Sequence, residues 1–170
     1  RIESRGLGDV YKRQVIFCEH KSLYGLKGDV PEGSYAIPFN EANVVREGGD
    51  VTVVAMGMMV HKAMEAASAL AKEGIQCEVI DPRTTSPLDL ETIIESVENT
   101  GRLVVVDESN PRCSMAADIS AQVTEQAFGS LRGPVKMVTA PHCPPPFSDV
   151  LEDLYIPSPE KIAEAVRALK

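Results

Sequence analysis

From Asp50 onward the chain alternates four times between a short apolar run and a longer segment whose apolar positions recur every three or four residues. The runs are Val51 to Ala55, Cys77 to Ile80, Leu103 to Val106 and Val135 to Val138, and they are rich in β-branched residues. A strand with one wet face alternates apolar and polar side chains. These runs are apolar on consecutive positions, which suits a sheet covered on both faces. Strands joined through helices by right-handed crossovers come out parallel. The pattern predicts an α/β fold: a three-layer α/β/α arrangement around an open, mostly parallel, doubly wound sheet.

The intervening helices carry their own punctuation. Val60, Ala63, Met64, Ala67, Leu70 and Ala71 share one face, and Gly74 follows where a left-handed residue would end the helix. Ser86-Pro87 reads as an N-cap with proline at the first helical position, and Asp89 is placed for a capping box. Leu90, Ile93, Ile94 and Val97 then form the buried stripe, closed by Gly101. Ser114 caps a third helix carrying Met115, Ile119, Val123 and Ala127 before Gly129, and Ser158-Pro159 starts a last one with Ile162, Val166 and Leu169.

Upstream the order dissolves. Residues 15–18 read as a short strand, and residues 19–49 mix glycine, proline and charge without a period, as a connecting segment does. Residues 1–14, RIESRGLGDVYKRQ, look like translated adaptor or vector sequence and are read as a non-native leader outside the fold.

Charge and cysteine usage narrow the partners. Seventeen Lys and Arg against 25 Asp and Glu give a net charge of −8, which argues against nucleic acid and anionic lipid. The longest near-apolar stretch, Val51 to Val60, falls short of the roughly 20 residues a bilayer span needs. Cys18, Cys77, Cys113 and Cys143 form no C-x-x-C unit, so the metal and redox readings are weak and the expected compartment is the cytoplasm. Cys18 and Cys77 lie in apolar runs and read as small buried hydrophobes.

In a doubly wound sheet functional groups collect beyond the carboxyl ends of the strands, here Met56–His61, Asp81–Ser86, Asp107–Ser114 and Thr139–Ser148. Met56-Gly57-Met58 lacks the further glycines of a dinucleotide fingerprint, and no G-K-[ST] follows it. His61 reads as a solvent-facing or capping imidazole. Asp81, Arg83, Asp107, Glu108 and Arg112 read as salt bridges tying loops together, since no serine, cysteine or lysine nucleophile has a motif beside them. Cys113 could gain thiolate character from Arg112 and a helix N-terminus, yet no histidine is placed next to it. His142 and Cys143, being neighbours, cannot easily both reach one ion. Pro141, Pro144, Pro145 and Pro146 impose an extended loop with Phe147 at its tip, which suits either a subunit contact or a plain surface loop.

Three stretches carry a resemblance: CEVIDPRTTSPLDL, TGRLVVVDES and PPPFSDVLEDLYIPSPEKIAEAV. With VIFCEHKSLYGLKG upstream, they resemble the β subunits of thiamine-diphosphate-dependent 2-oxo acid dehydrogenases, particularly the acetoin and pyruvate members, from Val15 to Lys170. The resemblance implies a transketolase-type C-terminal domain over residues 50–170, preceded in 15–49 by the remnant of a pyrimidine-binding domain and a linker. It implies oxidative decarboxylation of a 2-oxo acid, or cleavage of acetoin, with acyl transfer to lipoamide. Thiamine diphosphate and magnesium belong to the whole heterotetramer. The residues that activate and hold them lie in the missing domain and the α subunit, so no catalytic, cofactor or metal residue is assigned here. The implied partners are the α subunit, a second β subunit and the dihydrolipoamide acyltransferase core, with Phe147, Asp149, Glu152 and Asp153 as docking residues. Competing readings are the C-terminal domain of a transketolase or deoxyxylulose-phosphate synthase, and a free-standing flavodoxin-like binding module.

Overall fold

The computed structural model describes residues 19–170. The leader at 1–14, the strand expected at 15–18 and the buried reading of Cys18 lie outside the described residues. The chain divides into two compact units, residues 1–38 and 39–170. In the described part of the first, one 3-10 turn spans Lys21–Gly25, and the Tyr24 hydroxyl donates to Glu19. Tyr24, Leu26, Val30, Tyr35 and Ile37 are exposed there.

The second unit is a five-stranded sheet between two helix layers. Its strands are β1 (Asn43–Arg46), β2 (Val51–Ala55), β3 (Cys77–Asp81), β4 (Leu103–Asp107) and β5 (Lys136–Thr139), and the helices are α1 (Met58–Lys72), α2 (Leu90–Thr100), α3 (Met115–Ala127), α4 (Asp149–Tyr155) and α5 (Pro159–Arg167). The strands lie in the order β1-β3-β2-β4-β5. β2 pairs in parallel with β3 and with β4, and β4 in parallel with β5, as the apolar runs predict. The chain steps outward from β2 to β3, then crosses to the other side of β2, so the carboxyl ends of β2 and β4 form the switch point of the sheet.

Every residue of β2 and β4 is buried, and alternate residues serve opposite layers. Val51, Val53, Ala55, Val104 and Val106 pack with α1 and α5 on one face, whereas Val54, Leu103 and Val105 pack with α2 and α3 on the other. This two-sided demand is why consecutive positions are apolar. Within β2, Thr52 is the exception. It faces α2, and its hydroxyl lies 2.6 Å from that of Ser96 and 2.7 Å from that of Thr100, all three buried, so each polar group has a partner inside the core.

Three features differ from the sequence reading. Residues 43–46, inside the segment read as a linker, form the edge strand β1, antiparallel to β3. Four residues between turn-formers, with both valines partly exposed, carry too little period to announce a strand. Ser86-Pro87 does not start α2: its peptide bond is cis, and the cap is Asp89, whose Oδ1 accepts the Thr92 N–H at 3.1 Å. The Thr84 hydroxyl donates to the Pro87 carbonyl at 2.9 Å and holds that proline in the preceding turn. Finally, α4 occupies a stretch for which no helix is predicted. The other stop and start signals act as read: Gly74 and Gly101 sit at φ +82° and +71° past their helices, and the hydroxyls of Ser114 and Ser158 accept from Ala117 and Lys161.

The chain's last turn is tied back to the start of β2. Arg102 donates from Nε to the Leu169 carbonyl at 2.7 Å, and Lys170 bonds the Asp50 carboxylate, which also accepts the Gln76 N–H at 2.8 Å. The Gln76 N–H first, and then Lys170, hold the Asp50 carboxyl below the ordinary aspartate value.

Candidate functional site

Because four strands run parallel, the loops after β2, β3, β4 and β5 gather along one edge of the sheet. Two carboxylates on this edge, Asp81 and Asp107, are occupied by backbone. Asp107 is nearly buried; its Oδ1 accepts the Ser109 N–H at 2.9 Å and its Oδ2 the Ala116 N–H at 3.3 Å. It folds the loop after β4 and anchors the first turn of α3. Asp81 Oδ1 accepts the Arg83 N–H at 3.0 Å, and Asn110 Oδ1 the Arg112 N–H at 3.1 Å. Asp81, Asp107 and Asn110 hold their loops through side chain to backbone bonds, where the sequence suggested salt bridges for the two aspartates. The physical reason is reach: a carboxylate two residues from a turn N–H closes a short ring that needs no long side chain.

Neither histidine of this edge forms a built site. His61 is exposed on the first turn of α1 and His142 is exposed beside Cys143. Among the described residues no group of three His, Cys, Asp or Glu side chains is placed to hold a metal ion. Asp81 and Asp107, at the ends of β3 and β4, serve backbone N–H donors of their own loops. No step of cofactor chemistry is assigned to these residues.

The cysteines separate by environment. Cys77 is buried at the start of β3, and burial pushes its thiol up to about 11. Cys113 and Cys143 are exposed. Alkylation of the folded chain at pH 8, mapped by mass spectrometry, is expected to label Cys113 and Cys143 while Cys77 reacts only after denaturant is added. Labelling of Cys77 as fast as Cys113 would contradict its burial.

The most distinctive surface lies after β5. The Tyr155 hydroxyl donates to the Cys143 carbonyl at 3.0 Å and joins α4 to the proline loop, and the Lys161 Nζ donates to the Leu154 carbonyl at 3.2 Å and joins α4 to α5. No residue of α4 is buried. Phe147 is fully exposed, and Val150, Leu151 and Leu154 are 71%, 53% and 69% exposed. A cluster of large apolar side chains on one short element differs from the scattered exposed apolar residues normal for a monomer surface. Three of the four sequence-predicted partner residues, Asp149, Glu152 and Asp153, lie on this helix, and Phe147 precedes it. Sequence reasoning missed Val150, Leu151 and Leu154, although their spacing within DVLEDLY is that of one helical face.

A family model described as the transketolase C-terminal domain matches residues 40–162. The chain belongs to this family. The match covers all five strands, β1 included, and helices α1 to α4, and ends within α5. The chain is 67% identical over 153 residues to the beta subunit of acetoin:2,6-dichlorophenolindophenol oxidoreductase of Cupriavidus necator, a match covering 90% of this chain and 45% of that protein. It is 43% identical over 154 residues to the beta subunit of the pyruvate dehydrogenase E1 component of Bacillus subtilis, covering 90% of this chain and 47% of that one. It therefore spans about half the length of the relatives it matches. Among solved structures, a split gene transketolase in an inactive beta4 tetramer superposes with a TM-score of 0.70 at 29% identity, over 84% of this chain and 45% of that one. Among the described residues no helix is long and apolar enough to cross a membrane.

Proposed function

We propose that this chain is the carboxyl-terminal part of the β subunit of a cytoplasmic thiamine-diphosphate-dependent dehydrogenase that oxidatively cleaves acetoin and passes the acyl group to lipoamide. The observation that carries the reading is the 67% identity to the acetoin oxidoreductase beta subunit, against 43% for the pyruvate relative. The segment ahead of residue 40 leads in from a pyrimidine-binding domain, and the sheet domain, β1 included, is the assembly domain. The cofactor and its magnesium are bound by that other domain and the α subunit, and this domain supplies contacts: to the α subunit, to a second copy of itself, and to the acyltransferase core. Self-association draws support from the beta4 tetramer of the structural neighbour. Phe147 with Asp149, Glu152 and Asp153 receives the basic peripheral domain of the acyltransferase. Uncompensated carboxylates beside an exposed aromatic ring suit such a partner through charge complementarity.

The test has two arms. The complete β subunit co-produced with its α subunit is expected to reduce dichlorophenolindophenol in the presence of acetoin, thiamine diphosphate and magnesium, while the 170-residue chain gives no turnover and no heat of thiamine diphosphate binding by calorimetry. Cofactor binding by the chain alone would overturn the reading. In the second arm D149N/E152Q/D153N in the assembled enzyme is expected to weaken acyltransferase binding roughly tenfold and flatten its salt dependence. Unchanged affinity would remove these residues from the docking surface.

A further inference from the structure

We draw no further inference here: the strongest candidate, the exposed apolar side of α4 formed by Val150, Leu151 and Leu154 with Phe147 ahead of it, carries nothing because nothing in the structure shows what covers it.

Discussion

Replacing Asp89 by alanine is expected to lower the unfolding free energy of the domain by about 3 kcal/mol, combining the loss of an N-cap with the orphaning of a strand-entry N–H. One carboxylate serves two elements. Its Oδ1 accepts the Thr92 N–H at 3.1 Å, and its Oδ2 accepts the Ala42 N–H at 2.8 Å and the Thr92 hydroxyl at 2.7 Å. Asp89 is only 9% exposed, so water does not readily replace it. The start of α2 and the approach to β1 are therefore coupled through a single side chain. Urea denaturation monitored by circular dichroism gives the measurement, and a loss below about 1 kcal/mol would show that either the cap or the link to Ala42 is dispensable.

The same residue gives the fold an acid-sensitive point. Burial disfavours the charged carboxylate, but the bonds from Ala42, the Thr92 hydroxyl and the Thr92 N–H outweigh burial and hold Asp89 below the ordinary aspartate value. A lowered folded value means that the ionised form is the stabilising one. Its contribution is complete above the unfolded value of about 3.9 and disappears as the pH falls through the lower folded value. Asp50 acts in the same direction. The melting temperature is expected to drop below about pH 4, and to drop less steeply in D89N, whose amide cannot ionise.

Gly48→Ala is expected to cost about 3 kcal/mol and to loosen β1 from the sheet. A Cβ at this position would sit 2.3 Å from the Cys77 carbonyl carbon, 2.5 Å from its oxygen and 2.6 Å from the Glu78 nitrogen. Those atoms are the backbone of β3, which pairs with β2 on one side and β1 on the other, so no side-chain rotation relieves the contact. Gly49 is the control, since a Cβ there meets nothing within 4 Å. G49A is expected to stay within about 0.5 kcal/mol of wild type. Amide hydrogen exchange should then show Asn43–Arg46 opening in G48A while β2 and β4 stay protected. Equal stability of the two alanine variants would mean that the strand-entry loop adapts at little cost.

The site was legible only in part. DVLEDLY was read for its charges, and the carboxylates were found because unpaired acidic residues are visible in any sequence. The apolar half of the same seven residues stayed hidden, because valine and leucine in a short segment are normally assumed to be core. Only the coordinates show that none of them is buried. At the edge of the sheet, acidic and basic residues close in sequence suggested ion pairs. Whether a carboxylate takes a guanidinium or a backbone N–H depends on loop dihedrals, such as Arg83 at φ +57°, that composition does not encode.

What the amino-acid order determined by itself was the layering. Val51–Ala55, Cys77–Asp81 and Leu103–Asp107 are strands near the predicted limits, because burial on both faces demands apolar residues at consecutive positions and little else satisfies it. What only the tertiary structure decided was which marginal segments join that scaffold. Asn43–Arg46 becomes a strand because β3 offers a free edge, and Asp89 rather than Ser86 caps α2 because its carboxylate also meets Ala42. Asp149–Tyr155 becomes a helix joined by Tyr155 to the proline loop, with none of its residues buried. Such segments carry too little periodic burial to declare themselves, so their conformation is set by partners distant in sequence.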